Sequence, residues 1–410
     1  MTERVDVVVI GGGPAGSAAA MRAARGGASV AVFESGDRGR DKICGDGLTP
    51  RAVAALKELD IPIDASHRIA GLRMIAGRQT RELPWPEAGR FPGYGAVWPR
   101  QRLDAALIEA AETSGACVSF NSTAMPIIDD GVVRGVHVET SSGSREVRAE
   151  KVIVATGAPG AVARELGAVR VTDEPFGLAI RTYVESPRHA DDMLEACLTL
   201  RDERGTPVPG YGWMFPCGDG TVNIGVGALS TMKGFKNLNL NKLLASYRTS
   251  VEGPWSLGSD TGRARAWRLP MSVVKRSGPG WMAIGDAAGL VNPMNGEGID
   301  YGLESGMLAA DEFLRNPVGA EQRYDDAVGE RFDSFLRTGR RFAFLIGHPF
   351  LLRTGLRMAV GTHSIANITL QVMGNLVDGD TPGAAGRVLS FADRALGIAD
   401  PLLRKTRAKA

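Results

Sequence analysis

The chain has 410 residues, 44% hydrophobic and 23% charged, which are proportions of a globular protein and exclude a disordered or fibrous chain. Its length predicts two or three domains sharing one continuous body. With 48 Lys and Arg against 46 Asp and Glu, the formal net charge is +2, too balanced for a dedicated nucleic-acid binder, so no nucleic-acid partner is expected.

The first predicted elements are strand, glycine turn, helix, strand. Val5-Asp6-Val7-Val8-Val9-Ile10 reads as a buried strand rather than as the apolar core of a secretory signal. Gly11-Gly12-Gly13-Pro14-Ala15-Gly16 follows, then a small-residue helix from Ser17 to about Arg25, and a second strand Val30–Phe33 ending at Glu34. Leu103, Ala106, Leu107, Ala110 and Ala111 have the spacing of an amphipathic helix over 104–116. Three short β-rich runs come next, Val132–Glu139, Arg145–Val147 and Lys151–Ala155. Alternating runs between Phe176 and Trp267, broken by Gly and Pro, predict an antiparallel sheet. Trp281–Ile284 predicts one more buried strand before Gly285-Asp286-Ala287-Ala288, and the pattern from about Asn295 onward is mostly helical.

No run reaches the roughly 18 apolar residues of a membrane-spanning helix. Cys44, Cys117, Cys197 and Cys217 contain no C-x-x-C pair, and His67, His137, His189, His348 and His363 are scattered. Neither a disulfide scaffold nor a metal site is expected, and a reducing, cytoplasmic compartment is.

Gly11-x-Gly13-x-x-Gly16 lies between a strand and a helix, with the acidic Glu34 closing the next strand. Gly11 permits the tight turn, Gly13 lets backbone approach a pyrophosphate, and Gly16 lets helix and strand pack closely. The helix N-terminus offers free N–H groups to phosphate, and Glu34 can accept from an adenosine ribose. The fingerprint occurs once, which predicts a bound flavin rather than two bound dinucleotides. Arg40-Asp41-Lys42-Ile43-Cys44-Gly45-Asp46-Gly47 is the next unusual segment. Its glycines allow backbone to approach a planar ring; by residue type alone, Cys44 fits a buried hydrophobe and Asp46-Gly47 a turn as well as they fit catalysis.

Taken with Glu34, the Cys44-Gly45-Asp46-Gly47 segment resembles the geranylgeranyl reductase family of FAD-dependent enzymes. Further matches follow in the family's order: Arg100-Gln101-Arg102-Leu103-Asp104, Tyr211-Gly212-Trp213-Met214-Phe215-Pro216 with Asn223-Ile224-Gly225-Val226-Gly227, Gly285-Asp286-Ala287-Ala288, and Asn295-Gly296-Glu297-Gly298-Ile299. The strings LTPRAV, PGYGWMFP, NGEGIDYGLE and VMGNLV are similar to those of actinobacterial menaquinone reductases, which saturate one isoprene unit of the quinone tail.

The resemblance implies an α/β para-hydroxybenzoate-hydroxylase-like fold. It has a discontinuous FAD-binding Rossmann-like domain (1–170 plus 275–330), an inserted antiparallel β-sheet substrate domain (171–274) and C-terminal helices (331–410). It implies FAD contacts from Gly11, Gly13, Pro14, Ala15, Gly16, Glu34, Ser35, Cys44, Gly45, Asp46, Gly47, Arg100, Ala124, Asp286, Gly298 and Ile299. Cys44, Tyr211 and Trp213 become the catalytic candidates, with Cys44 as proton donor or pocket residue, although aromatic residues alternating on a strand also fit a core. One departure is that flavoproteins of this fold carry A-D-G where this chain has Ala155-Thr156-Gly157, so Thr156 inherits no catalytic role.

The implied reaction is reduction of a polyprenyl carbon–carbon double bond, with menaquinone's tail as the first substrate and a geranylgeranyl diphosphate or lipid as the alternative. The electron donor is NAD(P)H or a ferredoxin. A flavin monooxygenase is the rival on the same fold; halogenation is disfavoured because no Lys occurs between Lys57 and Lys151. The apolar stretch Arg340–Arg353, with basic flanks Arg340, Arg341 and Arg353, fits a buried helix pair or a peripheral contact with the inner face of the cell membrane.

Overall fold

Val7, Val8 and Val9 are apolar in succession because both edges and both faces of their strand are covered. In the computed structural model, which describes residues 3–158, 160–232, 234–346, 361–377 and 384–407, this strand Glu3–Ile10 lies between two parallel neighbours, Val30–Phe33 and Gly143–Val154. Cys117–Ser119 and Trp281–Ala283 extend the parallel sheet on either side. Two of the expected runs form one strand, Gly143–Val154. Its residues from Val147 to Val154 pair with Glu3–Ile10, while its other edge pairs antiparallel with Val132–Thr140 and then parallel with Trp281–Ala283. The return of the chain to this sheet at residue 281 makes the dinucleotide layer discontinuous.

Pro14 opens the first helix, Pro14–Arg25, three residues before the expected start, at a position where its missing N–H costs nothing. The long helix Ile299–Arg315 packs against it so closely that a Cβ on Gly306 would lie 2.4 Å from the Ala15 carbonyl oxygen. The two helix N-termini, at Gly13-Pro14 and Gly298-Ile299, therefore open onto one cavity. The helix expected over 104–116 runs from Arg100 to Thr113.

The second sheet has seven strands in the order Arg265–Pro270, Phe176–Glu185, Thr221–Leu229, Gly210–Pro216, Met193–Cys197, Gly71–Ala76 and Gln79–Pro84. All neighbours are antiparallel except Met193–Cys197 with Gly71–Ala76. Its last two strands come from the segment assigned by sequence to the FAD-binding domain, so the sheet does not begin at residue 171. A helix the strand reading passed over, Leu240–Trp255, covers the back of this sheet; Leu243, Tyr247, Val251 and Trp255 recur every four residues and are buried.

Glu304, buried on helix Ile299–Arg315, takes a bidentate pair from the buried Arg51 at 2.7 and 2.9 Å, with Arg331 at 2.8 Å and Arg90 at 3.2 Å. Arg51 belongs to helix Pro50–Glu58, immediately after the Cys44 segment, so this cluster ties that segment to the helix N-terminus facing the cavity. Glu304→Ala should cost about 3–5 kcal/mol in denaturant unfolding, because it leaves buried guanidinium charge uncompensated. A loss below about 1 kcal/mol would show the pair to be replaceable by water.

Of the basic flanks expected at 340–353, the two within the described residues are half-buried and paired. Arg340 donates to the Met271 carbonyl at 3.2 Å and faces Glu174, and Arg341 pairs with Asp393 at 3.0 Å. Arg353 lies outside the described residues.

Candidate active site

A cavity of about 900 Å³ lies between the two sheets and the C-terminal helices. Gly11, Gly13, Pro14, Ala15, Glu34, Ser35, Cys44, Gly45, Arg100, Ala124, Tyr211, Trp213, Asp286, Gly298 and Ile299 all line it. Three expected residues do not: Gly16, Asp46 and Gly47. Gly16 serves packing, since a Cβ there would lie 1.9 Å from the Gly11 carbonyl oxygen. Gly47 pairs with Val97 in a small sheet, and a Cβ there would press on Phe215 at 3.0 Å. Asp46 is fully buried beside the cavity, with its carboxylate turned away to protein partners.

The dinucleotide end is built as the fingerprint requires. Gly11 has φ +107, and a Cβ would clash with the Ala155 carbonyl at 2.4 Å. At Gly13, by contrast, the nearest atoms to a Cβ would be the guanidinium nitrogens of Arg40 and Arg100, 3.8 and 3.9 Å away. The open space at Gly13 is thus bordered by two cations. Glu34 accepts from the Gly12 and Gly36 amides, each at 2.8 Å, and from Arg40 at 2.9 and 3.1 Å. Burial pushes its carboxyl up, but Arg40 and the two amides hold it below the usual range, so it is ionised.

Lys42 adds a third cation, its ammonium 3.7 Å from the centre of the Trp267 ring. Burial pushes this ammonium down, partly offset by Asp286. Thr156 lines the cavity with a buried hydroxyl that has no partner among the described residues. A glycine cradle, a helix N-terminus, three cations, a ribose-competent carboxylate and an orphaned hydroxyl fit a dinucleotide with a diphosphate bridge. Glu34, Ser35, Gly13, Arg40, Arg100, Lys42, Asp286 and the Gly298-Ile299 amides would hold it.

Cys44 stands where this end meets the apolar one. Its Sγ accepts from the Asp46 amide at 3.3 Å and lies beside the Arg100 guanidinium. Burial pushes the thiol up, with Arg100 opposing, so Cys44 keeps its proton at neutral pH while two donors face the sulfur. Arg100 is fixed by Asp104 at 2.7 and 2.8 Å.

Tyr211, Trp213 and Phe215 form an aromatic stripe on one strand, with ring centres 5.7 and 6.2 Å apart. The stripe needs a small facing strand: a Cβ on Gly225, opposite Trp213, would lie 2.1 Å from the indole. The Tyr211 hydroxyl donates to the Asn295 carbonyl at 2.5 Å, which commits its proton to backbone.

Asp46 has φ 64, uncommon for a non-glycine residue. Its carboxylate accepts from Tyr183, from Asn223 at 2.8 Å and from the Arg100 amide at 3.2 Å, while burial pushes it up to about 6. Arg40, Lys42, Tyr183, Asn223 and Trp267 all escaped the sequence reading as site residues. Arg40 and Lys42 flank the Cys44 segment as basic residues and were findable; nothing local marks Tyr183.

Beyond the site, Asp300 in the first turn of helix Ile299–Arg315 has a buried carboxylate oxygen without a partner among the described residues. Burial pushes this acid up to about 7, against the pull of Arg51. It keeps its proton in the fold over a range where an unfolded Asp has lost it, so stability falls as pH rises toward about 7. Asp300→Asn cannot ionise, and should melt hotter than the parent at about pH 8 but not at about pH 4. Equal differences at both pH values would exclude Asp300 as the titrating group.

Comparison with known proteins agrees with this geometry. Residues 6–174 match the family model described as FAD dependent oxidoreductase. The chain is 39% identical to menaquinone reductase of Mycolicibacterium smegmatis, over 97% of this chain and 98% of that protein. It is 31% identical to digeranylgeranylglycerophospholipid reductase of Thermoplasma volcanium, over 81% of this chain and 85% of that one. Among solved structures, a geranylgeranyl bacteriochlorophyll reductase-like protein of Thermoplasma acidophilum superposes with a TM-score of 0.79, at 24% identity, covering 96% of this chain and all of the other. With its cofactor cradle, its Cys44 segment and its aromatic strand in one cavity, the chain belongs to the geranylgeranyl reductase family of FAD-dependent oxidoreductases.

Proposed function

We propose that this protein reduces a carbon–carbon double bond of a polyprenyl chain, the first candidate being one isoprene unit of menaquinone's tail. The observation that carries this reading is the continuity of the cavity. It runs from Gly13, Glu34 and Asp286 past Cys44 and Tyr211 to Phe342, Ile368, Val372 and Leu396 on the C-terminal helices. A dinucleotide end joined to a long apolar end suits a substrate that is mostly hydrocarbon.

Held by the Gly13, Glu34, Arg100 and Asp286 cradle, a reduced FAD would supply the hydride for one alkene carbon. Cys44 supplies the proton to the other; the thiolate left behind is stabilised by the Asp46 amide and Arg100. Tyr211, Trp213 and Phe215 wall the reacting segment from water and hold the tail in line. NAD(P)H, or a one-electron ferredoxin acting twice, would restore the two electrons, and a proton from water would restore the Cys44 thiol.

The test is anaerobic. Enzyme carrying reduced FAD, mixed with menaquinone in detergent, should return oxidised flavin and a quinone heavier by two hydrogens on its tail. Turnover only of a geranylgeranyl diphosphate or lipid would move the substrate to the alternative. A requirement for oxygen would favour the monooxygenase.

We further infer peripheral membrane contact at the inner face of the cell membrane. Among the described residues no helix is long and apolar enough to cross a bilayer. Ile365, Val388 and Phe391 are nevertheless exposed on the helices that wall the apolar end, and Val388 also lines the cavity. Because Arg340 and Arg341 are paired, attachment should be apolar rather than electrostatic. Binding to phosphatidylglycerol–phosphatidylcholine vesicles should therefore survive about 1 M salt, and Phe391→Ser should weaken it. Release by salt would contradict this.

A further inference from the structure

Asn223 does not line the cavity, yet its side chain is bonded to three groups that shape it. Strand Thr221–Leu229 sets it directly opposite Tyr183 on one neighbouring strand and Phe215 on the other, with no exposure to solvent. Its Oδ1 accepts from the Trp213 indole N–H at 2.9 Å. Its Nδ2 donates to the Cys44 carbonyl at 2.9 Å and to the Asp46 carboxylate at 2.8 Å. One acceptor and both donors of the amide are thus used, and only one orientation satisfies them: flipped, the NH2 would meet an indole N–H, and the oxygen would meet a carbonyl and a carboxylate.

Those bonds bear on the thiol. Asp46 is held in its left-handed conformation by the Asn223 and Tyr183 bonds to its carboxylate, and in that conformation its amide points back at Cys44 Sγ. The Cys44 carbonyl is pinned from the same nitrogen. Gly45 lies between, where a Cβ would come within 3.5 Å of the Trp213 indole nitrogen and 3.2 Å of Phe215. Asn223 therefore joins the segment bearing the sulfur to the strand bearing the aromatic stripe.

We propose that Asn223 is a positioning residue, which sets the Cys44 thiol and the Trp213 indole in register across the cavity wall. The inference rests on the proton-donor role given above to Cys44. Aspartate cannot replace Asn223, although it keeps the oxygen for Trp213, because it would bring a second carboxylate against Asp46 and lose the donor to Cys44.

FAD-loaded Asn223→Ala and Asn223→Asp enzymes test this, with Trp213→Phe and the double variant Asn223→Ala/Trp213→Phe. Flavin content should stay near that of the parent, since Asn223 is outside the cavity. From reduced enzyme, kcat for alkene reduction should fall by about a hundredfold, the scale of a misplaced reacting group, with KM changed far less. The pH profile of Cys44 alkylation by iodoacetamide should shift in both Asn223 variants and stay unchanged in Trp213→Phe. The double variant should lose less than the product of the two single losses, because Trp213 has already lost its bond to Asn223 in Asn223→Ala. Asn223→Asp, nearly isosteric, keeps the test open if the alanine variant does not fold. If folded variants keep the parental kcat and thiol profile, or if the two substitutions add independently, the positioning role is wrong while the reductase reading stands. If the parent enzyme itself reduces no polyprenyl double bond, the reading of function fails instead.

Discussion

Purified Gly13→Val should be colourless and folded. A Cβ at residue 13 meets nothing of the protein closer than 3.8 Å, so the chain tolerates it. Valine's methyl groups would instead enter the space between Arg40 and Arg100 where the diphosphate has to lie. Overpacking of about 3 kcal/mol corresponds to roughly a hundredfold loss of FAD affinity. Gly16→Val, three residues on, should behave in the opposite way. Its Cβ would lie 1.9 Å from the Gly11 carbonyl oxygen, a backbone atom that cannot move aside, and the protein should fail to fold. Thermal melting and the flavin absorbance of the purified proteins separate the two outcomes. A yellow Gly13→Val carrying stoichiometric FAD would overturn the placement of the diphosphate.

Cys44→Ser should divide the reaction at its proton step. The hydroxyl nearly matches the thiol in shape and can still accept from the Asp46 amide, so FAD should remain bound. Serine is a far weaker acid, and alkene reduction should slow by about 10²–10⁴-fold, the range ascribed to a positioned general acid. Reduction of the flavin by the electron donor should stay near normal. The two half-reactions can be timed from flavin absorbance under anaerobic conditions. Full alkene reduction by the serine variant would exclude Cys44 as the acid. Tyr211 is then a poor substitute as long as its hydroxyl is bonded to the Asn295 carbonyl.

The features legible in the amino-acid sequence are local ones. Gly11-x-Gly13-x-x-Gly16 between an apolar strand and a small-residue helix specifies a backbone path, and a backbone path is what a diphosphate recognises. The alternation of small and apolar residues over 221–229 likewise announces a strand with one sparsely filled face. What the local pattern cannot specify is which distant side chains meet. Asp46 directly follows two cavity-lining residues in the chain, Cys44 and Gly45, yet its carboxylate is drawn away by Tyr183 and Asn223, 137 and 177 residues distant. That depends on strand register, which places Tyr183 directly opposite Asn223, and a slip of one residue would turn both to the other face. Arg340 and Arg341 read as a basic flank, and only the packing of the C-terminal helices brings Glu174 and Asp393 to them. Periodicity records each element's exposed and buried faces, whereas the partner of each face is settled when strands register and helices dock, by which polar groups can be satisfied once water is excluded.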